Sequence, residues 1–284
     1  YNKIKKINFI RLSNSFLLLY NIIYKFFIFF LKKERIVNYY DVKIVIDLRD
    51  YLFSRRVFLY GSFNKPVEDF ILKQVHRGMN VIDAGANIGA YSMMMSRLVT
   101  NTGKVIAFEP DKRNISLFKK SIKTNSFKNI ILHEQLLSDI NGEKEIYLDQ
   151  NYYGSSSIIS DELPTKIYKK QFVSSTSLDQ ILYRENIKID LIKVNIEGSE
   201  LKFIKGAKKL IEKYKPKILI EYCHERLSKL EDFDNDNFLN YFRELGYKIN
   251  PLGYSSVKYS NNDLKKLSIY RKVSKLGTLH LFIS

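Results

Sequence analysis

The sequence predicts an α/β fold built on a parallel sheet. Strand-like and helix-like runs alternate from Pro66 to the C-terminus, and the first clear strand ends in the glycine-bearing turn of "VIDAGANIGAYS", residues 81–92. Alternation of this kind implies right-handed crossovers and ligands bound at the carboxyl ends of the strands. With 284 residues and 45% hydrophobic content, the chain can bury a large core in one domain carrying an extension. Cys223 is the only cysteine, which excludes an internal disulfide framework and a cysteine-based zinc cluster and points to a reducing, cytoplasmic setting.

Residues 1–35 read as a basic, apolar helical extension. They hold eight lysines and arginines against Glu34 alone, a large share of the formal net charge of +17. Within them "SFLLLYNIIYKFFIFFLKK", residues 15–33, is interrupted by Asn21 and Lys25. On a helical wheel Asn14, Asn21, Lys25 and Lys32 form one stripe and the remainder is apolar. Such a helix is expected to lie in an anionic membrane surface, with packing on the domain or on another subunit, and a true span, as competing readings. No small-residue cleavage site follows it, so a secretory signal is not expected. Residues 36–65 read as a β-rich lead-in, with "DVKIVIDL" and "RRVFLYGSF" as strands around a turn.

Pro66 suits a first helical turn and opens the main unit, residues 66–284. The expected order is strand "MNVIDAGA", helix "AYSMMMSRLV", strand "GKVIAFEP", helix "NISLFKKSIKTN" and strand "NIILHEQLL". Strand "IDLIKVNIE", helix "SELKFIKGAKKLIEK", strand "PKILIEYC", helix "DNFLNYFRELG" and a closing strand "GTLHLFIS" follow. "SNNDLKKLSIYRKVSK", residues 260–275, reads as a basic surface excursion.

The turn after the first strand narrows the ligand. Gly85 and Gly89 let the backbone turn tightly and let a ligand approach the main chain, while the next helix offers free N–H groups. A dinucleotide fingerprint needs G-x-G-x-x-G; here Asn87 stands where the middle glycine would admit a diphosphate, so a ligand without phosphates fits better. Glu109, 20 residues past Gly89, ends the next strand, where a carboxylate can accept both hydroxyls of a ribose. Together these describe an adenosine site with an amino-acid tail, which is S-adenosylmethionine. A purely structural turn is the plainer alternative.

In order along the chain, "VIDAGANIGAYS", "VIAFEPD", "GSSSI", "STSLDQI" and "LIKVNIEGSELKFIKGA" resemble the FkbM-type S-adenosylmethionine-dependent methyltransferases, over about residues 66–283. The resemblance implies a class I methyltransferase (Rossmann-like) fold, a mostly parallel seven-stranded sheet with helices on both faces. Its one reversed strand would be "GTLHLFIS", beside "GYKINPL". It also implies methyl transfer to a hydroxyl oxygen, often of a sugar in a glycan or of a natural product. By the same resemblance Asp83 and Gly85 open the turn near the methionine tail, Asn87 and Gly89 complete it, and Glu109 takes the ribose. Gln135 and Ser138, near the end of the third strand, are candidates for the adenine edge.

"KVNIEGSE" lies where the methyl group is expected. In an extended strand Lys193, Asn195 and Glu197 point to one side, at the ligand's end; a satisfied salt-bridge network is the competing reading. The family pattern is Lys-x-Asp-x-Glu-Gly, and this chain has Asn195 instead of Asp. An amide still accepts a hydrogen bond from the cofactor's amino group but cannot act as a carboxylate base. Glu197, Glu200, Glu221 and His224 are therefore the candidates to remove a proton. A divalent metal held by Glu197, Glu200 or Glu221 is a further option that residue types leave open. Alignment supplies about 7–11 kcal/mol to such a displacement and a base about 100- to 10,000-fold, so positioning is the larger effect.

Two other functions compete. An RNA methyltransferase is suggested by the basic charge with 20 Tyr and 19 Phe, but no recognition module is visible. A cofactor-binding scaffold without turnover is suggested by Asn195. The expected partners are a small-molecule or glycan acceptor and, through residues 1–35, the cytoplasmic face of an anionic membrane.

Overall fold

The computed structural model describes residues 33–50, 52–149, 156–158, 167–230, 232–254, 258–273 and 278–284. The expected membrane helix within residues 1–32, and Gly154 and Ser155 of "GSSSI", lie outside them. No helix among the described residues is long and apolar enough to cross a membrane.

The described chain opens on a hairpin, β1 (Glu34–Tyr39) and β2 (Val42–Asp47), with Tyr40 and Asp41 at φ 48° and 64° in its two-residue loop. Positive φ at both positions is the type I′ turn, whose twist matches that of paired strands. The second strand expected in the lead-in is instead a helix, α1 (Phe53–Tyr60). Asp50 explains the difference. Its carboxylate accepts from the N–H groups of Leu52 and Ser54 at 2.9 and 2.8 Å, satisfying donors that a helix start leaves open. Gly61, at φ 67°, ends the helix by donating its N–H to Val57. Phe53 and Val57, one turn apart, are both buried.

α2 (Lys65–Gln74) carries Pro66 in its first turn, as expected. β3 (Asn80–Ala84), α3 (Ala90–Val99), β4 (Lys104–Phe108), α4 (Lys112–Asn125) and β5 (Ile130–His133) then alternate. "NIILHEQLL" is not one strand: after His133 the chain leaves the main sheet. β6 (Leu136–Leu137), β7 (Gly142–Asp149), β8 (Ser156–Ser157) and β9 (Tyr168–Thr176) form a separate sheet in the order β6-β9-β7-β8. The chain returns through α5 (Leu178–Leu182), β10 (Leu191–Val194), α6 (Glu200–Gly206), α7 (Lys208–Tyr214) and β11 (Lys217–Tyr222). The short α8 (His224–Leu227), α9 (Asn235–Glu244), β12 (Ile249–Pro251), α10 (Asn261–Val273) and β13 (Leu279–Ile283) complete it.

α10 occupies the stretch expected as a surface excursion. Ser260 N–H donates to Asp263 Oδ2 at 3.0 Å and Asp263 N–H to Ser260 Oγ at 3.2 Å, a reciprocal cap that starts the helix. Leu264 and Ser268, one turn apart, are buried against the body.

The main sheet has the order β12-β13-β11-β10-β3-β4-β5, and β13 alone runs against its neighbours. This is the class I methyltransferase sheet. Successive strand residues enter opposite cores. Ile82, Ile106, Ile192 and Ile218 pack with α5, α6, α7 and α9, while Val81, Val105, Leu191 and Leu219 pack with α2, α3 and the lead-in. Tyr39, Ile44 and Phe53 share that second core, so the lead-in is part of the main unit's packing rather than a module beside it.

Candidate functional site

The carboxyl ends of β3, β4 and β10 open into a cleft. Gly85, Asn87, Glu109, Lys193, Asn195 and Glu197 line it. Asp83, Gly89, Gln135, Ser138, Glu221 and His224 are not among its lining residues.

The turn after β3 is left-handed at Gly85, Asn87 and Gly89, with φ 75°, 54° and 82°. A Cβ on Gly85 would stand 1.8 Å from the carbonyl oxygen of Asn195, and one on Gly89 would stand 2.0 Å from the Phe118 ring. The glycines are thus required by the end of β10 and by α4, a physical reason different from the ligand approach expected from the sequence.

Asp83 lies beneath the turn, fully buried. Its Oδ1 pairs with Lys193 Nζ at 2.9 Å and its Oδ2 accepts from Ser92 Oγ at 2.6 Å. The two charged residues sit opposite each other in the β3–β10 register. Lys193 Nζ also donates to Gly85 O at 2.9 Å and stands 5.5 Å above the Tyr91 ring. Both charges are spent on fixing the turn to β10.

Glu109 is buried, and its carboxylate already has three donors. Oε2 accepts from Asn87 N–H at 2.8 Å, and Oε1 accepts from Asp111 N–H at 3.0 Å and Asn114 Nδ2 at 3.1 Å. An ionised carboxylate offers about four acceptor positions, which leaves one, on Oε2. That corrects the expectation of both ribose hydroxyls to one. Burial first, and the neighbouring Asp111 second, push the Glu109 carboxyl up to about 7, against the pull of those hydrogen bonds.

Asn195 continues the β10 pairing through its N–H, which donates to Ala84 O at 3.0 Å. Its side-chain Oδ1 is buried and has no hydrogen-bond partner. Two residues on, Glu197 adopts φ 44°. Its carboxylate pairs with Arg226, and its carbonyl accepts from Ser157 Oγ at 2.8 Å.

Arg226, in α8, escaped sequence reasoning. It is 3% exposed, and besides Glu197 it meets Glu200 Oε1 at 3.5 Å and Glu221 Oε1 at 3.9 Å. Burial alone would lower its pKa, but the three carboxylates together raise it above the ordinary value. Burial raises the Glu200 carboxyl against the pull of Arg226, whereas Arg226 and His280 overcome burial at Glu221 and hold that carboxyl low. The three acids considered for a metal are therefore gathered around a guanidinium. Among the described residues no group of three or more His, Cys, Asp or Glu could hold a metal ion.

The remaining candidates have local roles. His224 donates its backbone N–H to Ser268 Oγ at 2.8 Å, and its ring meets Phe233 edge-on at 5.8 Å; burial and Lys265 lower its pKa. Ser138 is buried at the start of the small sheet, where its N–H donates to Thr176 O at 2.8 Å. Gln135 lies in the link between β5 and β6, and its neighbour Leu136 lines the cleft in its stead.

Part of the cleft wall comes from stretches that carried no recognised motif, the lead-in and β7. Leu52, Phe53 and Phe63 of the lead-in form one side with Tyr91, and Ile146 and Ile158 line another. Glu68 fixes Phe63 there. Its buried carboxylate accepts from the Phe63 and Asn64 N–H groups at 2.7 and 3.1 Å and from the hydroxyls of Tyr39, Tyr40 and Ser62. Burial opposes ionisation of Glu68, but these donors outweigh it and hold the carboxyl below its usual range.

The sequence profile of the Methyltransferase FkbM domain matches residues 83–249. Methyltransferase sdnD of Sordaria araneosa is 26% identical over 155 residues, covering 44% of this chain and 59% of its own. A probable cobalt-precorrin-6B C(15)-methyltransferase (decarboxylating) of Sulfolobus acidocaldarius is 27% identical over 115 residues, covering 39% of this chain and 58% of its own. The chain thus spans 59% and 58% of the length of these two curated relatives. Among solved structures, methyltransferase FkbM from Methylobacillus flagellatus KT is similar with a TM-score of 0.45 and 20% identity, covering 72% of this chain and 43% of that one.

Proposed function

The chain belongs to the FkbM methyltransferase family, and from that membership we propose that it transfers a methyl group from S-adenosylmethionine to a hydroxyl oxygen, borne by a sugar in a glycan, a glycolipid or a natural product. The observation that carries the reading is Asn195 Oδ1, a buried acceptor without a partner on a residue that lines the cleft. Leaving such an atom bare is costly, and the ammonium of an amino-acid tail would satisfy it. Glu109 keeps one acceptor position for a ribose hydroxyl.

When bound, S-adenosylmethionine supplies an electrophilic methyl group on a sulfonium sulfur. The chain's own residues position the reactants. Asn195 and the Gly85–Gly89 turn orient the tail, and Glu109 orients the ribose. Phe53, Phe63 and Tyr91 shield the transfer from water. Glu197, held through its carboxylate by Arg226 and through its carbonyl by Ser157, accepts the hydroxyl's hydrogen bond and takes its proton as the oxygen gains the methyl group. Residues 1–35 hold the protein on the cytoplasmic face of an anionic membrane.

Isothermal titration with S-adenosylmethionine, then mass spectrometry of methylated products formed in cell extract, tests the reading. Tighter binding of NAD would overturn the cofactor, and methylated RNA in place of a methylated hydroxyl compound would overturn the acceptor. Co-sedimentation with anionic vesicles should weaken when residues 1–32 are removed; equal sedimentation would remove the anchor.

A further inference from the structure

The outward face of α1 is apolar and aromatic over three consecutive residues. Phe58 is 42% exposed, Leu59 43% and Tyr60 75%, and Leu52, just before the helix, is 36% exposed. Scattered exposed apolar side chains are ordinary on a protein surface, but four within nine residues form a patch. The patch also has an address. Leu52 lines the cleft, as do Phe53 at the start of α1 and Phe63 just past its end, so the helix is flanked at both ends by residues that border the cleft.

Charge and chain path select the partner. From Leu52 to Pro66 the chain carries Arg55, Arg56 and Lys65 and no acid. Residues 1–32, which bring six further lysines and arginines and no acid, join the fold at Lys33. Lys33 O accepts from Leu48 N–H at 2.8 Å, only four residues before Leu52. The basic apolar segment therefore enters the fold close to where the exposed helix begins. Apolar and aromatic side chains with guanidinium groups at their margin suit the boundary between acidic lipid headgroups and acyl chains.

We infer that the outer face of α1, carrying Phe58, Leu59 and Tyr60, docks on an anionic lipid surface and sets the mouth of the cleft against it. This contact is separate from the proposed anchor in residues 1–35 and does not depend on the methyl-transfer reading. Docking there turns the cleft towards the membrane plane.

The chain has no tryptophan, so Tyr60→Trp in the full chain gives a single indole reporter on the patch. Phe172→Trp, on the exposed surface of β9, serves as the control. With vesicles of phosphatidylcholine and phosphatidylglycerol, the reporter at 60 is expected to shift to the blue and to be quenched by lipids brominated near the headgroup, while that at 172 does neither. The triple variant Phe58→Ser, Leu59→Ser, Tyr60→Ser should partition roughly tenfold or more weaker, for loss of three apolar side chains at the boundary. Vesicle-bound protein with an unchanged emission at 60 would mean that residues 1–32 act alone and overturns the inference. So would absence of vesicle binding. A blue shift that depends on protein concentration without lipid would assign the face to a second copy of the chain, and one present at every concentration without lipid would assign it to the chain's own N-terminal segment. Either result overturns lipid docking.

Discussion

A buried carboxyl beside another acid favours its neutral form, and Glu109, pushed up to about 7 by burial and Asp111, is such a group at the proposed ribose site. Its folded pKa lies above that of an unfolded glutamate. The stability it contributes is therefore present at acid pH and lost as pH rises through about 7. Cofactor binding has the opposite sign, because a ribose hydroxyl donates to the ionised carboxylate. Affinity for S-adenosylhomocysteine should rise by up to about tenfold per pH unit on the acid side of that value and level off above it. Glu109→Gln should flatten the profile, and isothermal titration across pH reads both; a flat wild-type curve would move the ribose elsewhere. Asn195 poses a sharper question, since the family has Asp there. If its Oδ1 only orients the cofactor's ammonium, Asn195→Asp should change turnover by less than about tenfold, under 1.4 kcal/mol of barrier, and Asn195→Ala should cost more. Turnover of the three forms on one identified acceptor checks this. A large gain in the Asp variant would mean that the natural chain lacks its base and serves as a binding protein.

At the scale of elements, short capping patterns decided what hydropathy did not. "RRVFLYGSF" carries a short apolar run, Val57 to Tyr60, that passes for a strand, yet Asp50 caps it from outside the run and Gly61 closes it, so it is α1. "SNNDLKKLSIYRKVSK" looks too basic to pack, yet Ser260 and Asp263 start a helix that needs only Leu264 and Ser268 on its inner face. Both signals were present in the sequence and were outweighed by composition. The small sheet of β6, β7, β8 and β9 was less accessible, because the pairing of Gly142 with Ser175 is set by contacts far apart in the chain. Asp50→Ala should destabilise the protein by about 1–2 kcal/mol, the upper range for a lost cap. It should also weaken S-adenosylhomocysteine binding, because α1 carries a wall of the cleft. Urea unfolding and titration measure the two effects; unchanged stability would show that core packing alone fixes α1.

For the whole molecule, the alternation of strands and helices made the parallel sheet legible, and the resemblance supplied the reversed β13. The turn, Glu109, Asn195 and Glu197 were legible as cleft residues because they lie at strand ends. Arg226 was not, since nothing near it in sequence announces three converging carboxylates; for Lys193 a salt bridge was one of two readings, and its partner Asp83, 110 residues away, could not be named from the sequence. Breaking a buried pair by removing one partner costs about 3–5 kcal/mol, so charges of this kind belong to the fold before they belong to chemistry.

The lead-in and the unit that begins at Pro66 share one core, and that sharing has a measurable consequence. Ile44 of the lead-in and Ile192 of β10 are both fully buried, in the two cores that lie on opposite sides of the main sheet. Because the lead-in shares its core with Val81, Val105 and Leu191, it should unfold with the sheet in a single transition rather than earlier. Ile44→Ala and Ile192→Ala are each expected to lower stability by about 2–5 kcal/mol. Each should displace one common urea transition when read by circular dichroism and by tyrosine fluorescence. A chain beginning at Pro66 should lack that cooperative transition, since it would expose the face that Tyr39, Ile44 and Phe53 cover. If Ile44→Ala instead split off an early transition and left the sheet's midpoint unmoved, the lead-in would be an independent module. Phe53 and Phe63 would then be able to leave the cleft without unfolding the cofactor site.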